Sequence, residues 1–394
     1  MKGKNDFPML EKSIVYFDNA ATTLKPNRVI DKIVEYYSDY SANSHRGDYD
    51  ISFKVDDEID YTRDMVKMFI NAKSKNEIIF TKNTTDSLNT IVFGFFLNYL
   101  NDDDEVILSS SEHASNILPW MILSLKKNIK IKFVDSKNGK LFIEDIENKI
   151  TSKTKVISLA HITNVSGDKR DIKSITKIAH EKGILVVVDG AQSVPHIKTD
   201  VIDLDIDFLA FSAHKMCGPT GVGVLYAKYD LLKKMIPFEY GGGMNLTYDK
   251  YNLKLAEIPY RFEAGTQNLA GIIGFSESIK LLNEIGIENI ERHDKYLRKY
   301  LIKELERIPY IKIYNKDCEG SIVTINMNGV LSGDLGLYLN TKGICVRSGK
   351  HCAKMGDNVD DTIRISLYFY NTYEEIDYLI SVLKDKKSIL EFAN

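Results

Sequence analysis

The residues best suited to chemistry gather around Phe208–Tyr226, which reads Phe-Leu-Ala-Phe-Ser-Ala-His-Lys-Met-Cys-Gly-Pro-Thr-Gly-Val-Gly-Val-Leu-Tyr. An apolar run, Phe208–Phe211, delivers Ser212, His214 and Lys215 to its end. The turn-rich Gly218-Pro219-Thr220-Gly221 then separates it from a second apolar run, Val222–Tyr226. Apolar surroundings lower a lysine's pKa and free its lone pair, so Lys215 is a candidate Schiff-base amine. Upstream, Ile184-Leu-Val-Val-Val-Asp189 reads as a buried parallel strand closing on a carboxylate. A lysine to form an imine and a strand-end aspartate to keep a pyridinium nitrogen protonated are two parts of a pyridoxal phosphate site.

Such a pair needs a rigid frame, and the pattern of the chain supplies one. Strands are expected near 105–109, 130–135, 154–160, 184–189, 207–212 and 222–227, mostly alternating with helices near 114–127, 143–149 and 171–182. That alternation implies a mostly parallel α/β sheet covered on both faces. Before it come an extended arm over 1–23, a helix opened by Pro26, a helix from about Val55 to Ile70 and a strand at Glu77–Thr81. Asn83-Thr84-Thr85-Asp86 starts a further helix, and a helix N-terminus suits a phosphate, so Thr84 and Thr85 are candidate phosphate contacts, joined by Ser212 and His214. After Tyr240 the composition shifts. Long helices near 268–285 and 287–306 lead to strands near 311–314, 321–327, 344–347 and 363–369 and helices near 333–341 and 373–384, a smaller α+β unit.

Length and charge narrow the possibilities. A chain of 394 residues with a formal net charge of −3 can bury a large core and suggests two domains. Near-neutral charge without a basic cluster argues against nucleic acid as the main partner. The first residues lack an apolar signal core, and the most apolar patch, Ile91–Leu97, is too short to span a bilayer. Cys217, Cys318, Cys345 and Cys352 form no C-x-x-C pair, so neither a metal site nor a disulfide framework is signalled, and a cytoplasmic protein with reduced thiols is expected. The glycines of Gly218–Gly223 precede a strand rather than open a helix, which argues against a dinucleotide site.

Taken in order, the motifs from Tyr16-Phe-Asp-Asn-Ala-Ala21 to Tyr370-Asn371-Thr372 resemble the pyridoxal phosphate-dependent cysteine desulfurases of class V aminotransferase type, most of all the SufS type, which includes selenocysteine lyases. The resemblance implies an aminotransferase-like fold of type I. It divides the chain into an arm (1–23) packing with the small domain, a large cofactor-binding domain (24–266) and a small α+β domain (267–394) carrying the nucleophile. It assigns Lys215 to the imine, Asp189 to the pyridinium nitrogen, Gln192 to the ring hydroxyl and His113 to stacking on the ring with a role in proton relay. Asn164 is expected near the cofactor and the substrate carboxylate. Thr266 resembles a residue that reaches the phosphate from the other subunit, which implies a homodimer. His45 and Arg46 resemble an entrance loop. Arg364, alternating with apolar neighbours in Thr362-Ile-Arg-Ile-Ser366, suits bidentate capture of an α-carboxylate.

Cys352 decides the reaction. It lies in Val346-Arg-Ser-Gly-Lys-His-Cys-Ala353, similar to the Arg-x-Gly-His-His-Cys motif of the SufS type. A thiolate attacks the sulfur of a cofactor-bound cysteine far better than a thiol does, and Lys350 and His351 stand where positive charge would favour the thiolate. The implied reaction takes L-cysteine to L-alanine, leaves a persulfide on Cys352, and passes the sulfur to an acceptor of SufU or SufE type for iron–sulfur cluster assembly. Two alternatives stand beside it: a selenocysteine lyase of the same fold, and a non-catalytic scaffold. The family pattern is broken by Lys350 in place of histidine, by the 353–357 segment and by Gln267 in place of proline. Cys217 reads as a bystander.

Overall fold

The computed structural model describes residues 6–44, 47–352 and 361–393. Its larger sheet has seven strands in the spatial order Ile78–Thr81, Gly223–Ala227, Phe208–Ser212, Leu185–Asp189, Thr154–Ala160, Glu105–Ser109 and Lys130–Val134. Six run parallel and Gly223–Ala227 runs against its neighbours. Every residue of Glu105–Ser109, Phe208–Ser212 and Gly223–Ala227 is buried, which is why these segments read as unbroken runs rather than alternating ones. The strands break off along one edge, where Ser109, Ala160, Asp189 and Ser212 end and Gly223 begins. In an open α/β sheet this carboxyl-end edge is where ligands bind.

Helix caps are set by the polar residues that the sequence singles out. The Asn83 side chain accepts from the backbone N–H of Asp86 at 2.9 Å and caps Thr84–Ile91. Asp171 caps Ile172–Glu181 in the same way through Ser174. Gly223 permits the capped turn to sit on the sheet, since a Cβ there would lie 2.5 Å from the Asn83 backbone.

The long helices Leu269–Ile285 and Ile287–Leu305 lead to an antiparallel sheet ordered Ile311–Ile313, Ile322–Met327, Thr362–Ser366, Arg347–Gly349. Leu297, Leu301, Ile325, Ile365 and Leu379 form its own apolar core, separate from those of the large sheet. Two details depart from the sequence reading. The strand expected near 344–347 is two: Ile344–Cys345 pairs in parallel with Val15–Tyr16 of the arm, whereas Arg347–Gly349 pairs with Thr362–Ser366. The change of partner at Val346 depends on contacts distant in sequence. A hairpin, Asn245–Tyr248 with Leu253–Leu255, occupies the segment after the composition shift at Tyr240, where no strand is expected from the sequence. Among the described residues no helix is long and apolar enough to cross a membrane.

Candidate active site

A cavity of about 300 Å³ opens at the carboxyl edge of the large sheet, where the small sheet and the arm meet it. Lys215 stands in the turn after Phe208–Ser212 and is partly buried on the cavity wall. Burial pushes its amine down to about 8; Asp189 opposes that shift, and Arg364 and Arg347 reinforce it. Asp189 ends its strand with one oxygen accepting from the Ala191 N–H at 2.9 Å, and burial raises its pKa. Gln192 lines the same wall and donates from Nε2 to the Ala20 carbonyl at 2.8 Å.

The phosphate-binding candidates converge. The Ser212 hydroxyl accepts from the Thr84 N–H at 2.7 Å and lies 2.6 Å from the Thr84 hydroxyl. The Thr85 hydroxyl meets that of Ser115 at 2.7 Å. His214 also lines the cavity, with Nδ1 3.2 Å from the Thr22 hydroxyl, and burial pushes it down to about 4.

His113 follows Glu105–Ser109, and its loop is anchored below. Buried Glu112 pairs with Arg170 and accepts at 2.7 Å from both Asn116 Nδ2 and the Ala160 N–H. The Ser115 N–H donates to His113 Nδ1 at 3.1 Å, so the proton of the neutral imidazole sits on Nε2. Burial, followed by the charges of Lys215 and Arg364, pushes His113 down to about 4, so it is neutral at pH 7.

Arg364 projects from the small sheet into the cavity and is 2% exposed. Its Nη1 donates to the Asn164 carbonyl at 3.0 Å and its Nη2 to Asp18 Oδ1 at 3.1 Å. Asn164 donates from Nδ2 to the His351 carbonyl at 2.7 Å, and the Ala114 N–H donates to the Cys352 carbonyl at 2.9 Å. These two bonds hold consecutive left-handed residues, His351 at φ 51° and Cys352 at φ 60°, a conformation costing about 1–3 kcal/mol at each non-glycine residue. Cys352 is exposed and lies on the cavity wall.

One expectation is corrected. His351 does not supply positive charge to Cys352. Its ring is buried with Nε2 2.9 Å from the Thr362 hydroxyl, and burial together with Arg364 and Arg347 pushes it down to about 3, which keeps it neutral. Lys350 is exposed. Thr266 lines a different cavity, with Asn43, Gly242 and Glu263, and does not reach the Lys215 site within one chain. His45, Arg46 and the 353–357 segment lie outside the described residues. Cys217 is buried, and its thiol is pushed up to about 12 by burial, in keeping with a bystander. Two residues escaped the sequence reading. Arg347, on the cavity wall, pairs across the strands with Arg364, a register signal invisible in one dimension. Asp18, on the arm behind the wall, accepts from Arg364.

The donors present fit pyridoxal phosphate. The cavity offers an amine of depressed pKa, a buried strand-end carboxylate and a helix N-terminus lined with hydroxyls. Asn164 Oδ1 and Arg364 Nε are buried there without partners among the described residues, as atoms reserved for a ligand would be.

Comparison with known proteins agrees. The aminotransferase class-V family model matches residues 15–379. The chain is 42% identical over 399 residues to a probable cysteine desulfurase of Borreliella burgdorferi, covering 97% of this chain and 94% of that one. Among solved structures, the fold matches the cysteine desulfurase CsdA of Escherichia coli, captured with an S-sulfonic acid, at a TM-score of 0.93 and 31% identity, covering 99% and 98% of the two chains. It matches the apo cysteine desulfurase of Thermococcus onnurineus NA1 at 0.93 and 35%, covering 97% and 96%. The chain belongs to the aminotransferase class-V family and, within it, to the pyridoxal phosphate-dependent cysteine desulfurases.

Proposed function

We propose that the protein is a SufS-type desulfurase that converts L-cysteine to L-alanine and keeps the sulfur as a persulfide on Cys352. The observation that carries this reading is the presence of Cys352 on the wall of the cavity that also holds Lys215, Asp189 and Arg364. Pyridoxal phosphate, held through Lys215, Asp189, Gln192 and the Thr84–Ser212 cradle, supplies an electron sink for the carbanion formed when an amino acid loses its α-proton.

The chain's own residues do the rest. Arg364, on the cavity wall, holds the substrate carboxylate. The Lys215 amine takes the α-proton, and its depressed pKa keeps an appreciable neutral fraction near pH 7–8. The neutral ring of His113 covers the cofactor site and offers a proton at Nε2. Cys352 Sγ attacks the substrate sulfur as the thiolate. The S–S bond forms, the carbon–sulfur bond breaks, and its electron pair remains on the substrate carbon, which leaves as alanine after protonation.

The short segment from Cys352 to Arg364 supports the SufS over the NifS or IscS type. The persulfide on Cys352 is then passed to a thiol-bearing acceptor protein of SufU or SufE type, with iron–sulfur cluster assembly as the destination. Thr266, absent from the wall of the Lys215 cavity in its own chain, is assigned by this reading to the phosphate of a second subunit, so the working unit is a homodimer, expected in the cytoplasm. The test is incubation of the loaded enzyme with L-cysteine, measuring alanine and sulfide with and without a reductant. Alanine with reductant-dependent sulfide is expected, and cysteine consumption without alanine would overturn the reading.

A further inference from the structure

Arg364 already has an acid on it. The Asp18 carboxylate accepts from Nη2 at 3.1 Å, with side-chain exposures of 2% for the arginine and 23% for the aspartate. The backbone that carries this acid is fastened to Ser366, two residues beyond Arg364. The Phe17 carbonyl accepts from the Ser366 N–H at 2.7 Å and from its hydroxyl at 3.0 Å. Asn19 Nδ2 donates to the Ser366 carbonyl at 2.7 Å, and the Ala20 N–H donates to the Ser366 hydroxyl at 2.9 Å. Asp18 itself forms an isolated parallel bridge with Ser366.

The balance of charge gives this acid a purpose. The cavity collects Lys215, Arg347 and Arg364 against Asp189 at the end of its strand. Substrate cysteine and product alanine carry the same α-carboxylate, so whatever affinity Arg364 adds for one it adds for the other. A fixed negative charge against the guanidinium repels any incoming carboxylate and occupies one of its donors.

We propose that Asp18 is the resident counter-ion of Arg364 and lowers the affinity of the site for the α-carboxylates of substrate and product alike, so that alanine is released. Asp18 is a positioning residue, acting through Arg364, and the inference rests on the reading of Arg364 as the carboxylate fork. The experiment uses the holoenzyme, with calorimetric Kd values for L-alanine and for cysteamine, which lacks the carboxylate, and KM for L-cysteine. Asp18→Asn is expected to tighten L-alanine and to lower the KM for L-cysteine by a common factor of about ten, the scale of one partly screened like charge. Cysteamine binding is expected to stay unchanged, and Asp18→Glu to restore wild-type values. Damage to the arm would instead weaken all three ligands. Equal or weaker L-alanine binding in Asp18→Asn, while Arg364→Ala still loses L-alanine, overturns the inference alone. An Arg364→Ala enzyme that binds L-alanine as well as the wild type overturns the carboxylate reading and this inference with it.

Discussion

Lys215 should make the cofactor-free protein less stable than it would be with an apolar residue in its place, and by an amount that depends on pH. Burial lowers its pKa from 10.5 to about 8. At roughly 1.4 kcal/mol per pKa unit this corresponds to about 3 kcal/mol of differential free energy. The unfolded lysine keeps its proton up to pH 10.5 and the folded one releases it near 8. Between these values the unfolded chain binds more protons, so the wild type gains stability as pH rises, and below about 8 the full cost is present. Lys215→Met removes the titrating group. It should therefore raise the unfolding free energy by about 3 kcal/mol at pH 7, with the gain shrinking toward pH 10.5. Trp120, the single tryptophan and completely buried, reports urea unfolding by its fluorescence at matched protein concentrations. Methionine also changes packing, but that contribution does not vary with pH. A gain of equal size at pH 7 and pH 10 would refute the desolvated-amine account.

Other outcomes follow from the same geometry. Asn164→Ala removes the donor that holds the His351 carbonyl, at a cost of about 1 kcal/mol; Cys352 should then alkylate faster in the holoenzyme and single-turnover persulfide formation should slow, as followed by mass spectrometry. Sedimentation at assay concentration should find a dimer, and Thr266→Ala should weaken cofactor retention without dissociating it; full activity in a monomer would contradict the shared site. Glu112→Gln should weaken the buried pairing with Arg170 and lower thermal stability, since breaking a buried pair costs about 3–5 kcal/mol.

What the sequence makes legible is the rigid half of the site. Phe208–Ser212 and Ile184–Asp189 announce themselves because a strand buried on both faces must be apolar throughout, and Lys215 and Asp189 stand where such runs stop. Thr84 is legible because a helix start has its own capping grammar. What hides is set by pairing distant in sequence. Nothing near Asp18 says that it meets Arg364, 346 positions away. Arg347 looks like one letter of a motif until its strand is laid against Thr362–Ser366. His351 misleads for a different reason. Next to a cysteine a histidine suggests a cation, but its protonation depends on burial and on the charges of Arg364 and Arg347, and the burial and Arg364 arrive only with the fold.

The central claim is that Cys352 receives the sulfur. Mass spectrometry of the holoenzyme after one turnover with L-cysteine, followed by peptide mapping under non-reducing conditions, tests it directly. The account predicts one added sulfur on the peptide containing Cys352 and none after Cys352→Ser. A persulfide on Cys217, Cys318 or Cys345, or alanine formed at the wild-type rate by Cys352→Ser, would contradict it.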